Sequence, residues 1–246
     1  MDYQYGLSSW VYRILQTADR EFSDFLHNTG YGDENKSFKF FTLSELNLFP
    51  FRVWKEQRLF ELKSNAFSVQ ISFLIDRAYE EFVKGLFMHQ EGFIGNRFNG
   101  IDFKVSGIEV LPPPVFQPTM RYKTLSPVFL SAKEGNRIIH LHPEEHEALY
   151  ARCFLKNLKE KQKILQLHQP EDISDFDSSE WNFHLLKTRG TRLIRIKPLT
   201  PQETKNRACH MDFELTAPPE IHELAYDAGF GSENSWGCGM GEVMEE

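Results

Sequence analysis

"VLPPPVFQP", residues 110–118, places three consecutive prolines near the middle of the chain. Pro112, Pro113 and Pro114 remove three backbone donors and impose extended polyproline geometry, so this segment reads as a linker rather than as part of a sheet or helix. On either side of it the hydrophobic pattern runs in a similar order. Upstream it predicts a helical region over 7–27, strands over 38–43, 59–62 and 67–73, a helix over 75–88 and a strand over 101–110. Downstream it predicts strands over 125–130 and 137–141, a helix from 144 to about 165 and strands over 183–197 and 208–215, then a helix over 219–228 and a final strand over 238–244. Each half approximates β-α-β-β-α-β, which makes the fold class α+β with two tandem ferredoxin-like (RRM-like) domains. The expected division is 1–111, a linker over 112–118, and 119–246.

Composition narrows the function classes. The net charge of −7 argues against nonspecific wrapping of nucleic acid but leaves room for a local basic face. No apolar run reaches the roughly 20 residues of a membrane span. "MDYQYGLSSW", residues 1–10, lacks the basic segment and apolar core of a signal peptide, so a cytoplasmic protein without a membrane partner is expected. Cys153, Cys209 and Cys238 are far apart and form no CxxC pair, against both a disulfide framework and a cysteine-rich zinc site. The acidic, apolar-poor stretch 172–180 reads as a solvated loop.

"AGFGSENSWGCGMGE", residues 228–242, holds five glycines. A dinucleotide or phosphate loop needs a strand before its glycines and a helix after them. Here a helix precedes them, with Pro219 suited to its first turn and Gly229 to its end. A stretch with so little side chain can press against a bulky partner and offer backbone N–H groups to phosphate oxygens.

Within it "GFGSENSWGCGM", residues 229–240, resembles the C-terminal glycine-rich motif, roughly GFGxxNSxGFGM, of the CRISPR-associated endoribonucleases numbered six, with Cys238 in place of an expected aromatic. "LSSWVYRILQTADREFSDFLHNTGY", residues 7–31, resembles the first helical region of that family, and "FKFFTLS", residues 38–44, its following strand. The resemblance implies Tyr12, His27 and Lys39 as the catalytic set, with Lys36 as the fallback lysine. Gly229, Gly231, Ser235, Gly237 and Gly239 become RNA contacts, and substituting Gly237 or Gly239 is expected to weaken RNA binding more than folding. It implies CRISPR repeat RNA as substrate, other CRISPR-associated proteins of an effector complex as further partners, and no cofactor or metal; monomer and homodimer both stay open. Family members begin with a strand before the first helix, so a gap or a substitute strand is expected in the N-terminal sheet.

The implied chemistry is metal-independent: the 2′-OH attacks the adjacent phosphorus, giving a 2′,3′-cyclic phosphate and a 5′-OH end. His27 suits proton transfer because an imidazole exchanges protons near working pH. Lys39 would offset charge on the phosphorane, and Tyr12 would position the phosphate or assist the proton transfer. One straight helix would hold Tyr12 and His27 about 22 Å apart. The helix must therefore break, and Thr17-Ala18-Asp19 is the place, since Thr and Asp are N-cap residues and Glu21 then sits in a new first turn.

"LLKTRGTRLIRIK", residues 185–197, carries Lys187, Arg189, Arg192, Arg195 and Lys197 without an acid. It reads as a hairpin turning near Gly190, either an edge guarded by charge or, preferably, a phosphate-binding element. "HPEEH", residues 142–146, fits a zinc-peptidase pattern, but Pro143, best placed at the first helical position, leaves His142 outside the helix. Arg152, Lys156, Lys159, Lys161 and Lys163 read as an exposed helical face. Two alternatives remain, a repeat-RNA-binding subunit that does not cut and a metallohydrolase resting on HPEEH alone.

Overall fold

The computed structural model describes residues 3–33, 36–57, 59–95, 99–170, 173–198 and 200–244. The first half begins with α1 (Gln4–Ala18) and α2 (Arg20–Asp24), followed by a π-helical turn, Phe25–Thr29. Next come the hairpin of β1 (Tyr31–Gly32) with β2 (Ser37–Phe38), β3 (Phe41–Leu43), and the hairpin of β4 (Phe51–Trp54) with β5 (Leu59–Leu62). β6 (Ile71–Phe73), α3 (Asp76–Met88) and the hairpin of β7 (Glu91–Gly95) with β8 (Gly100–Lys104) complete it.

α1 and α3 are pressed together so closely that a Cβ on Gly85 would lie 2.1 Å from the Ile14 carbonyl oxygen. The rings of Trp10 and Phe82 meet edge-on beside that contact. β3 pairs antiparallel with β6, Phe41 opposite Phe73. Among the described residues no strand joins β6 to β7, whose sole ladder is with β8. The order α1-β3-β6-α3-β7 is that of a ferredoxin-like unit from its first helix onward.

The second half supplies β9 (Thr119–Thr124), the hairpin of β10 (Ser131–Glu134) with β11 (Arg137–His140), α4 (Glu147–His168), β12 (Asn182–Ile196), β13 (Thr204–Thr216), α5 (Pro219–Ala228) and β14 (Gly241–Val243). Its sheet runs β12-β13-β9-β14, every neighbour antiparallel. β13 thus separates β9 and β12, the split β-α-β arrangement of the ferredoxin-like unit. Tandem units of this kind make the fold α+β.

Alternation builds the sheet's inner face. Met120, Tyr122 and Thr124 point inward from β9, and Met211, Phe213 and Leu215 from β13. α4 covers them with Tyr150, Phe154, Leu158 and Leu165 at helical spacing. Phe230, from the glycine-rich stretch, enters this core: its ring centroid lies 4.9 Å from Tyr122, 5.0 Å from Phe213 and 5.9 Å from Phe154.

Several boundaries differ from the sequence reading; the strand expected over 67–73 is limited to Ile71–Phe73 and the last to Gly241–Val243. The strand expected over 101–110 ends at Lys104 because its partner β7 is five residues long, and the chain runs on without regular structure to Pro118. The strand expected over 125–130 lies earlier, at β9. Leu125 and Ser126 instead donate to the Met240 carbonyl as the chain turns, and Val128 and Phe129 make isolated bridges. α4 starts at Glu147, with residues 143–145 in a turn, so Pro143 precedes the helix altogether. β12 does not turn at Gly190. It continues through register shifts beside that residue, because the thirteen-residue β13 pairs with both sides of it, and Gly190 at φ +133° absorbs a bulge. The acidic loop over 173–180 carries no helix or strand, and Asp172 lies outside the described residues.

Phe230→Ala is expected to cost about 3–5 kcal/mol of unfolding free energy, because a fully buried ring leaves a cavity among three others; urea denaturation followed by circular dichroism reads this.

Candidate active site

α1 ends where the sequence places the break. Asp19 leaves helical geometry at φ −144° and ψ 103°, and its carboxylate accepts the Phe22 N–H at 2.9 Å as the N-cap of α2. Its other oxygen accepts from Arg77 of α3 at 2.9 Å. Both hydrogen bonds hold the Asp19 carboxyl below the usual carboxylate range, the Phe22 one most. The Ser23 hydroxyl donates to the Tyr12 carbonyl at 3.1 Å, locking α2 back against α1. The π-helical turn closes with the Gly30 N–H donating to the Phe25 carbonyl at 2.8 Å. Such turns re-aim side chains and recur at functional sites.

The result is a direct contact between Tyr12 and His27, ring centroids 4.9 Å apart and nearly perpendicular. Tyr12 is buried and His27 exposed. Burial pushes the Tyr12 phenol far above the ordinary tyrosine range, opposed by a hydrogen bond from Ser235 of the glycine-rich stretch. The phenol therefore keeps its proton and can act as a donor. His27 Nδ1 lies 3.0 Å from Asn28 Oδ1, an oxygen that can only accept, which favours the tautomer with its hydrogen on Nδ1. Asn28 is a residue the sequence reading missed.

Lys39 comes to the same place from the other direction. Gly30 has φ +69°, and a Cβ there would stand 2.9 Å from Lys39 Nζ and 2.7 Å from the Phe38 carbonyl oxygen. Only a glycine lets the lysine pass so near the end of the His27 turn. Phe40, the next residue, is held at φ +50°, a strained conformation for a ring-bearing residue. The Lys39 side chain is half-buried, burial lowers its pKa, and it makes no ion pair among the described residues. Lys36 is placed differently: its ammonium is ion-paired with Glu160 of α4 and lies 5.6 Å above the Phe38 ring.

Lys39 lines a cleft of about 230 Å³ between residues 36–41 and the glycine-rich stretch, which contributes Ser235 and Trp236. Trp236 is half-buried and stacks on Tyr5 of α1, centroids 5.4 Å apart and planes 8° from parallel. The glycine backbone is not the open row of N–H donors that the sequence suggests. Phe230 N–H donates to the Gly239 carbonyl, Gly239 N–H to Pro127, Ser232 N–H to Phe129 and Gly237 N–H to Asn234. Gly229, Gly231 and Gly239 are required sterically, since a Cβ on each would fall within 2.9 Å of protein atoms.

Lys161 overturns the reading of its helix as a wholly exposed basic face. It is fully buried, and its Nζ donates to Gly231 O and Asn234 Oδ1, both at 2.9 Å, and to Gly229 O. Its register with Tyr150, Phe154, Leu158 and Leu165 was the available signal. The basic stretch of β12 is also less free than it reads. Arg189 pairs with Asp212 at 2.8 Å, Arg192 with Glu45, and Arg195 with Glu203 at 3.2 Å. Lys187 is exposed and makes no ion pair among the described residues. In HPEEH, His142 is buried and its N–H donates to His146 Nδ1 at 3.1 Å, so the two rings do not share a helical face. Among the described residues no three metal-ligating side chains cluster, and no helix is long and apolar enough to cross a membrane.

Two ferredoxin-like units, with a histidine–tyrosine pair and a half-buried lysine beside a glycine-rich cleft, define a tandem ferredoxin-like protein. Comparison with known proteins gives the family. Residues 1–109 match the model for the N-terminal part of CRISPR-associated protein Cas6, and residues 111–243 match the model for its C-terminal part. The chain belongs to the Cas6 family. It is similar to the CRISPR-associated endoribonuclease Cas6 1 of Methanocaldococcus jannaschii, 28% identical over 251 residues that cover 100% of this chain and 87% of that protein. It is also 25% identical to the CRISPR-associated endoribonuclease Cas6 of Pyrococcus furiosus, over 98% of this chain and 82% of that one. Among solved structures, a Cas6-related protein from Pyrococcus furiosus superposes with a TM-score of 0.76 at 20% identity, covering 100% of this chain and 92% of the other. A RAMP protein described as binding different RNA substrates gives 0.74 at 20% identity, with 99% and 92% covered.

Gly239→Val is expected to lower the melting temperature by roughly 10 °C, because its Cβ would stand 2.0 Å from the Phe230 carbonyl oxygen at φ +82°. Gly237→Asn, at a left-handed position whose nearest neighbours are Gln4 Cγ and Cβ at 3.1 and 3.3 Å, should keep most of that stability; differential scanning calorimetry separates the two.

Proposed function

We propose that this protein is an endoribonuclease that cuts CRISPR precursor RNA within the repeat by metal-independent attack of the 2′-OH on the adjacent phosphorus. The P–O5′ bond breaks, leaving a 2′,3′-cyclic phosphate and a 5′-OH. The single observation that carries the reading is the Tyr12–His27 contact, for which the chain reverses at Asp19. His27 Nε2 is the group able to take the 2′-OH proton or deliver one to the leaving O5′. Tyr12, kept protonated by burial, donates a hydrogen bond to the phosphate. Lys39 supplies positive charge as the phosphorane forms.

In this reading the chain divides into a domain over 1–111 bearing the catalytic residues, a linker over 112–118 and a domain over 119–246 bearing the glycine-rich loop. Repeat RNA is the partner. Ser235 and Trp236 meet it at the cleft and Lys187 beyond, while Gly229, Gly231 and Gly239 act by shaping the loop. Lys36, Arg189, Arg192 and Arg195 reach phosphate after exchanging their carboxylate partners.

His27→Ala is expected to abolish cleavage of end-labelled repeat RNA in excess chelator while leaving binding within about threefold, since its loss removes proton transfer rather than affinity. Full activity in that variant, or activity of the wild type that chelator removes, would overturn the mechanism. Tyr12→Phe should slow cleavage without moving the pH profile, because a phenol that keeps its proton contributes no titration in the working range; a shifted basic limb would contradict its donor role.

A further inference from the structure

Lys161 is the one fully buried cation of α4, and the mechanism above leaves it unused. Its surroundings are built for an ammonium. Three oxygens converge on Nζ: the carbonyls of Gly229 and Gly231 and the side-chain oxygen of Asn234. Lysine is the side chain that ends in three donors on one atom. Asn234 extends the grip, its amide donating to the carbonyls of Phe230 and Cys238, both at 3.1 Å. Cys238 in turn accepts from the Thr42 hydroxyl of β3 at 3.0 Å. One ammonium thus ties both limbs of the glycine loop to α4 and, through Thr42, to the first half of the chain. Burial draws its pKa down to about 7, with Lys36 adding a smaller push in the same direction, so the charge is held here against a desolvation cost. An apolar side chain in its place would leave all three oxygens without that donor.

We infer that Lys161 is a positioning residue for RNA cleavage, fixing the glycine loop so that Ser235 meets Tyr12 and Trp236 closes the cleft. The chain of contact is short. Asn234 is bound to Lys161, Ser235 follows it in sequence and lies close enough to the Tyr12 phenol to oppose the rise in its pKa, and Trp236 stacks on Tyr5, two turns before Tyr12 on α1. Without the ammonium the three oxygens face one another unsatisfied, and the loop relaxes away from the phenol. The inference rests on the nuclease reading for its catalytic half, whereas its structural half stands on the loop alone.

Both halves can be measured on the full chain with Lys161→Met and with Lys161→Gln, which keeps two donors should the first variant not fold. Single-turnover cleavage of repeat RNA is expected to fall about 100-fold in Lys161→Met, while the affinity for a repeat carrying a 2′-deoxy block at the cleavage site changes far less. Lys161→Met combined with Tyr12→Phe should be no slower than the slower single variant, because both act through the same phenol. Additive losses, or an unchanged rate in a folded variant, would overturn the positioning role. Amide hydrogen exchange over residues 229–241 without RNA reads the loop separately: protection should be lost in Lys161→Met and partly kept in Lys161→Gln. A wild type that binds the repeat without cutting it would remove the nuclease reading, and retained protection in Lys161→Met would remove this one.

Discussion

The Asp19 carboxylate makes two hydrogen bonds at once, one to the first turn of α2 and one to Arg77 on α3. The site follows from that reversal. A continuous helix would carry His27 about 22 Å from Tyr12, and no side-chain rearrangement closes such a distance. The cap begins a second helix, the Ser23 hydroxyl ties it to α1, and the π-helical turn sets the imidazole against the phenol. Arg77 makes the bend part of the tertiary fold, since the helix that buries Phe82 and Leu86 also steadies the corner.

What was legible in the sequence is what local chemistry decides. Cap residues at Thr17–Asp19 located the break, once the family resemblance had paired Tyr12 with His27 fifteen residues on. Proline and glycine marked the ends of α5, and alternation revealed β12 and β13. The hidden part depends on partners far away in the chain. Glu45, which neutralises Arg192, is 147 residues from it, and a basic run read by itself shows no acid. Gly190 reads as a turn until the length of β13 is known. The β7 strand was missed because Glu91–Gly95 carries two glycines and no clear alternation.

The glycine-rich stretch shows how composition alone can mislead about orientation. Its glycines suggested an outward-facing backbone, yet several of its amides and carbonyls turn inward to Phe129, Pro127, Ser126, Thr42 and Lys161. Phe230 is driven into the aromatic core, and the small residues let the chain fold around it. The face left toward the cleft is made by Ala228 and by Ser232 to Trp236, the part of the stretch that carries no glycine.

The internal pairing of Arg189, Arg192 and Arg195 bears on how this protein meets a polyanion. Cations already matched to Asp212, Glu45 and Glu203 hold few mobile counterions, so little entropy is released when phosphates arrive. For these three arginines the salt dependence of phosphate binding is therefore shallower than a free basic run of the same length would give.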